Sequence, residues 1–438
     1  MVCRHLIDID FQSVIVLRMS LLDVFLRRVI LKGTLTVVDH KGKAQSFGQA
    51  TPGLPDITIR LNDPGVAGAI VRNPALGAGE GYMDGRYSVD NDDIMGLVEL
   101  VQANTRWESG RPLERPNLVR KYGGALIGKL DRINQRARSK ANVAHHYDLS
   151  GRLYELFLDK DRQYSCAYFS DPANGLEQAQ EDKKAHIAAK LALEPGQRVL
   201  DIGCGWGGMA LYLHQKCGVD VLGITLSEEQ LKVARERAEA AGVSDHVKFE
   251  LIDYRDVEGR FDRIVSVGMF EHVGTPHYSE FFRHCHNLLT DEGVMLLHTI
   301  GRLNEPGVTD AWTRKYIFPG GYCPSLSEIL TASEPNKLMV SDVEVLRLHY
   351  ALTLRHWYQR VEANKSEIVK LYDERFYRMW KFYLAGSATA FEHGNMVIYQ
   401  LQYLRNRRAL PITRDYMMEA EAALGRGFLD HTEARKRG

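Results

Sequence analysis

The sequence predicts an α/β protein: a mostly parallel sheet with helices on both faces, preceded by a small α+β unit. Three observations predict it. From Glu194 onward, strand-length apolar runs alternate with helix-length amphipathic segments. The first of these strands runs into a glycine-rich turn, Asp201-Ile-Gly-Cys-Gly-Trp-Gly-Gly208, that opens a helix. The first hundred residues carry short alternating strands at hairpin spacing instead. At 438 residues the chain exceeds one average domain, so two units are the natural organisation.

In chain order, Leu21 to Lys32 places apolar residues at helical spacing and stops at Gly33. Thr34–Asp39 and Ala44–Gly48 flank Lys41-Gly42 and read as a hairpin, and Asp56–Leu61 alternates as a third strand. Helices are expected near Pro64–Arg72 and Asp92–Asn104, with Gly77 to Gly85 between them as a glycine-rich turn. This gives an N-terminal unit over 19–108. Met19-Ser20 opens a cleaner amphipathic helix than Met1 does, so residues 1–18 read as an extension from an upstream start. Two prolines and three glycines among scattered charges mark a linker over 109–124. A second unit over 125–438 begins with a basic helix, about Ala125 to Ala141, which suits a solvated face and a lipid-headgroup patch equally well. Strands follow at Arg198–Ile202, Asp220–Thr225, Val247–Leu251, Phe261–Val267 and Gly293–Ile300. Helices at Trp206–Lys216, Glu228–Ala241 and His277–Leu289 separate most of them.

Composition narrows the class. With 45% hydrophobic residues there is ample material for a core, and 56 basic residues balance 56 acidic ones. Zero net charge argues against nucleic acid as the partner. The apolar stretch Phe11 to Leu31 is broken by Arg18, Asp23, Arg27 and Arg28, so it is not expected to span a bilayer or serve as a secretory signal. The cysteines, Cys3, Cys166, Cys204, Cys217, Cys285 and Cys323, show no C-x-x-C spacing and read as reduced thiols of a cytoplasmic protein, with no metal implied.

Glycines in the turn after Ile202 let backbone amides approach a ligand beside a helix N-terminus. A lone G-x-G would equally suit a dinucleotide. Asp201 at the strand end, with Gly203-Cys-Gly-Trp-Gly207, resembles the S-adenosylmethionine loop of class I methyltransferases and their Rossmann-like sheet. The next strand also ends in Gly223-Ile-Thr-Leu-Ser227, without the acid that a nicotinamide site uses for ribose.

Longer strings carry a more specific resemblance: His146-Tyr-Asp-Leu149, Gln163 to Phe169, Phe261 to Gly274, Leu296 to Gly301 and Lys315 to Pro319. On these the chain resembles the cyclopropane-fatty-acyl-phospholipid synthases and, more distantly, the mycolic acid cyclopropane synthases. Gly79 to Gly85 resembles part of the lipid-binding domain that bacterial members carry. The resemblance implies methylene transfer from S-adenosylmethionine to the cis double bond of unsaturated phospholipid acyl chains, with a carbocation deprotonated by bound bicarbonate. It implies cofactor contacts at Tyr164, Ser165, Asp201, Gly203, Gly205, Thr225, Leu226, Gln230 and Tyr254. Bicarbonate contacts are implied at Cys166, Glu271, His298, Ile300 and Tyr350. It also implies peripheral attachment to the inner face of the membrane. Family members are often dimers, a point on which the sequence is silent.

The residue types suit that chemistry on their own terms. An alkene is a weak nucleophile, so the methyl donor must be held in line with it and water kept out. Aromatic faces stabilise the cation, and Tyr316, Phe318, Tyr322, Tyr350, Tyr377 and Phe382 are available. Bicarbonate needs donors such as His298 and Tyr350 and an acceptor such as Glu271. Each residue has a plainer reading: His298 as a core histidine, Cys166 as packing or a nucleophile, Tyr350 as core, His146 and Tyr147 as a helix start. Ser387 stands where well-known bacterial members have cysteine, so it reads as packing or lipid lining. Three other functions stay open: a methyl-branched or methylene product, a lipid-binding scaffold on a decayed methyltransferase fold, and a soluble small-molecule methyltransferase, which the N-terminal lipid-type unit disfavours.

Overall fold

The computed structural model describes residues 20–110 and 149–425. The 1–18 extension, the basic 125–141 helix, and His146 and Tyr147 lie outside the described residues, as does most of the 109–124 linker. The described chain forms two compact units. The first holds residues 20–110 together with Glu374–Gly386; the second holds residues 149–373 and 387–425.

The first unit opens with the helix Leu21–Val29, started by a reciprocal cap: the Ser20 hydroxyl accepts from the Asp23 amide at 3.1 Å, and the Asp23 carboxylate accepts from the Ser20 amide at 3.0 Å. Its buried face is Leu22, Leu26 and Val29. Strands β1 (Gly33–Val38), β2 (Ala44–Gln49), β3 (Asp56–Leu61) and β4 (Tyr87–Val89) form one sheet in the order β2-β1-β3-β4. The hairpin expected around Lys41-Gly42 is present, and β3 joins β1 in parallel.

The glycine-rich turn expected between Gly77 and Gly85 is instead mostly helix, Pro74–Met83, with the Asn73 side chain capping Leu76 and proline in its first turn. The glycines serve proximity rather than turning. A Cβ on Gly77 would stand 2.4 Å from the backbone of Ala69 in the helix Val66–Arg72, so only glycine lets the two helices touch backbone to backbone. Residues 374–386 pack in this unit: Lys381 donates to Asp92 at 2.9 Å, Arg375 to Asp84 at 2.7 Å, and Phe382 lies 6.4 Å from the Tyr82 ring. Tyr377 and Phe382, two of the candidate cation-facing aromatics, therefore cluster with the first unit.

In the second unit, β5 (Arg198–Ile202), β6 (Asp220–Thr225), β7 (Val247–Leu251) and β8 (Phe261–Val267) have the expected bounds. The fifth expected strand is longer than read, running as β9 from Leu289 to Arg302. Two further strands, β10 (Met339–Leu346) and β11 (Met396–Leu404), complete a seven-stranded sheet in the order β10-β11-β9-β8-β5-β6-β7. β5 to β9 are parallel, while β11 and β10 add antiparallel. The chain leaves β5 through β6 and β7 and returns to its other side with β8, so the strand order reverses beside β5. Ligands of such sheets bind outside the carboxyl ends of strands at that reversal. Apolar clusters cover both faces, one under the helices Gly208–Cys217 and Leu176–Leu191, the other under Tyr278–Leu288. The five described cysteines are free thiols, four of them buried. Among the described residues no helix is long and apolar enough to cross a membrane.

Candidate functional site

After β5 the chain turns through Gly203, Gly205 and Gly207, whose φ values of 85°, 55° and 82° lie where side chains other than glycine's are strained. The Gly203 and Cys204 amides donate to the Ile224 carbonyl at 3.0 and 2.9 Å, which ties the turn to the end of β6. There the Thr225 hydroxyl donates to Gln230 Oε1 at 2.9 Å, and Ser227 caps the helix Glu228–Ala240 that carries Gln230.

These elements enclose a cavity of about 1200 Å³, open mouth included, at the carboxyl ends of β5, β6, β7 and β8. Its lining brings together every residue expected to contact the cofactor: Tyr164, Ser165, Asp201, Gly203, Gly205, Thr225, Leu226, Gln230 and Tyr254. Among the lining residues that sequence reasoning did not assign to the site are Trp206, which donates to Glu229 at 3.0 Å, Met269, and Asp253, two positions past β7. Asp253 had a legible signal, an acid just beyond a strand end.

Behind the lining, Lys183 was also missed. It is fully buried and donates to Gln163 Oε1 at 2.5 Å and Ser165 Oγ at 2.9 Å, fixing the segment that presents Tyr164 and Ser165. Burial lowers its ammonium pKa to about 8, and burial raises the Asp201 carboxyl to about 7. Asp201 Oδ2 has no hydrogen-bond partner among the described residues. The Tyr164 ring stacks on Trp357 at 5.2 Å, and Trp357 meets the Tyr350 ring edge-on at 5.8 Å.

The other five candidates lie beside this lining. Glu271 stands between the lining residues Met269 and His272, and Cys166 follows Ser165. His298 pairs in register with Val267, and its carbonyl accepts from the lining Gly268 amide at 2.9 Å. Glu271 Oε1 accepts from the Ile300 amide at 2.5 Å, so that amide is already engaged by the carboxylate. Glu271 Oε2 and His298 Nε2 are buried, and neither has a partner among the described residues. Burial pushes Glu271 up to about 7 against the pull of the Ile300 amide. His298 is held well below its ordinary value, first by burial and then by the cations Lys183 and Lys190, so it is neutral. Burial raises the Cys166 thiol far above its ordinary range, and its Sγ donates to the Ala167 carbonyl, which argues against a thiolate nucleophile. Of the remaining aromatics, Tyr322 is buried and its amide donates to the Glu271 carbonyl at 3.0 Å, while Phe318 lies 6.1 Å from the lining His272. Tyr316 packs on Trp312. Ser387 is half-buried within the helix Glu374–Glu392.

The two raised carboxyls give a pH prediction. Asp201 and Glu271 bind protons more tightly folded than unfolded, so their stabilising contribution is full below the ordinary carboxyl range and is lost as pH rises towards about 7. The Tm of the unliganded protein should carry a component that falls over that window. Asp201→Asn and Glu271→Gln should each flatten it in a calorimetric pH series. Two variants with unchanged pH slopes would show that these carboxyls titrate normally.

The model of the mycolic acid cyclopropane synthetase family matches residues 134–401 of the chain. The cyclopropane-fatty-acyl-phospholipid synthase of Escherichia coli K12 is 40% identical over 358 residues, covering 82% of this chain and 90% of that one. A probable fatty acid methyltransferase of Pseudomonas putida is 36% identical over 378 residues, covering 83% and 92%. Among solved structures, mycolic acid cyclopropane synthase CmaA1 complexed with SAH and CTAB superposes with a TM-score of 0.58 at 36% identity, covering 60% of this chain and 97% of that one.

Proposed function

The chain belongs to the mycolic acid cyclopropane synthetase family, and we propose that it transfers a methylene unit from S-adenosylmethionine to the cis double bond of phospholipid acyl chains, forming a cyclopropane ring with bicarbonate as the base. The observation that carries the reading is the pair of buried, unpartnered groups beside the cavity, Glu271 Oε2 and His298 Nε2. A buried acceptor and a buried donor left without partners are each costly unless a ligand satisfies them, and one small ligand with both functions would serve the two. Bicarbonate has both, a hydroxyl to donate and anionic oxygens to accept.

The chain's own residues then have distinct tasks. The glycine turn admits an adenosyl ligand close to the backbone, with Asp201, Thr225, Gln230 and Tyr254 around it. Tyr164 and Trp206 line the same cavity, and their faces favour a sulfonium through the ring quadrupole. S-adenosylmethionine bound there supplies the electrophilic methyl. The alkene π pair forms the new C–C bond as the S–CH₃ bond breaks, leaving a carbocation on the acyl chain. Glu271 and His298 would hold bicarbonate, which would supply the base for a proton of the transferred methyl, the freed C–H pair then closing the ring. Tyr350 serves as a further donor by the same reading. The N-terminal unit binds lipid, the protein works at the inner face of the membrane from the cytoplasm, and it assembles as a homodimer. The P. putida relative, described as a probable fatty acid methyltransferase, favours one alternative ending, a methyl-branched chain.

Vesicles of monounsaturated phospholipid decide between these. Product extracted after incubation with S-adenosylmethionine should gain one CH₂ and resist hydrogenation, and turnover should fall at least tenfold in buffer stripped of bicarbonate. A product that still takes up hydrogen would replace the ring with the branched chain.

A further inference from the structure

His298 is part of a polar row that crosses three strands. In the sheet register His298 on β9 faces Gln400 on β11, and Gln400 faces Glu344 on β10. Gln400 Nε2 lies 3.1 Å from His298 Nδ1, and Gln400 Oε1 accepts from Lys190 Nζ at 2.7 Å. Lys190 also donates to Glu344 Oε2, which His186 Nε2 meets at 2.7 Å, and His186 Nδ1 lies 3.0 Å from Glu421. Lys190, His298 and Gln400 are almost wholly buried, while Glu344 and Glu421 reach the surface.

Donor and acceptor chemistry fixes every orientation in the inner half of this row. An ammonium only donates, so Gln400 must turn its carbonyl oxygen to Lys190. Its NH₂ then points at His298 Nδ1, which must be a bare lone pair. A neutral imidazole with a bare Nδ1 carries its proton on Nε2, the atom left without a partner. We propose that Gln400, oriented by Lys190, is the positioning residue that makes His298 a permanent Nε2–H donor toward the anion held at Glu271. Glu344 balances the buried charge of Lys190, and Lys183, Lys190 and His186 together keep a second proton off the ring. The assignment rests on the reading that His298 faces an anion, and it adds what decides which way His298 is polarised.

The wild-type full-length protein tests the tautomer without any substitution. In ¹⁵N-histidine spectra, with His298 identified by its loss in His298→Asn, Nε2 should be protonated and Nδ1 bare across neutral pH. A proton on Nδ1 overturns the proposal. In Gln400→Glu the new carboxylate should draw the proton to Nδ1, raise the KM for bicarbonate at least tenfold and leave SAH affinity unchanged. Lys190→Arg, which keeps a donor for Gln400 Oε1, should restore most of the turnover lost in Lys190→Met. A merely structural role would not give this split, and a Gln400→Glu enzyme with an unchanged KM for bicarbonate also overturns the proposal. If the wild type shows the stated tautomer but no response to bicarbonate, the anion reading falls and the hydrogen-bond assignment alone stands.

Discussion

Glu271→Gln should lower turnover on unsaturated phospholipid vesicles by about 10² or more, the scale on which a preorganised electrostatic contact at a reacting centre acts. The substitution keeps shape and volume, and its carbonyl can still accept from the Ile300 amide. What changes is the second atom. Glu271 Oε2, a buried acceptor with no partner among the described residues, becomes an NH₂ donor, so two donors confront the ligand where a donor and an acceptor stood. Glu271 lies outside the cavity lining, so SAH affinity by calorimetry should stay within about twofold, the few tenths of a kcal/mol usual for a site that makes no contact. The loss should appear in kcat and in the KM for bicarbonate. Since Glu271 and His298 hold one ligand, Glu271→Gln combined with His298→Asn should cost little more than either alone. Full activity in Glu271→Gln, or additive losses in the double variant, would dismantle the shared site.

How far this site could be read in advance depended on the kind of signal each residue carried. β5 to β8 were legible because each is an apolar run bounded by turn residues inside strand–helix alternation, and their ends place Asp201, Thr225 and Gly268 without further knowledge. The helix at Pro74–Met83 was misread because glycine marks both turns and close helix contacts, and only the 2.4 Å approach to Ala69 tells them apart. β11 escaped notice although Met396 to Leu404 is almost wholly buried, since Gln400 and Gln402 interrupt its apolar pattern. In retrospect that interruption was the signal: two buried amides in a central strand must bond to something, and one of them meets His298. Lys183 and Lys190 offered no such cue. On a helix rich in lysine and alanine they look solvated, and only the chain packed against that helix, the segment around Gln163 and Ser165 for Lys183 and strands β10 and β11 for Lys190, accounts for their burial.

The second large effect belongs to the turn itself. Gly203→Val should abolish measurable SAH binding and, with it, turnover. Gly203 has φ of 85°, a conformation a β-branched residue reaches only with strain of about 1–3 kcal/mol. A Cβ there would also stand 2.9 Å from Cβ of Met269, which lines the cavity and sits two positions from Glu271, so relief by moving Met269 would shift the rim that holds the carboxylate. The turn cannot readily slide the other way, because the Gly203 and Cys204 amides are both committed to the Ile224 carbonyl. Gly205→Ala provides the contrast. Its φ of 55° is strained too, but its Cβ meets nothing within 4 Å, so it should keep the fold and lose affinity only in part. Calorimetric titration of both variants with SAH, alongside circular dichroism to confirm folding, reads the difference. Wild-type affinity in a folded Gly203→Val protein would mean that the adenosyl ligand does not lie against this turn, and the placement of every other group around it would have to be redrawn.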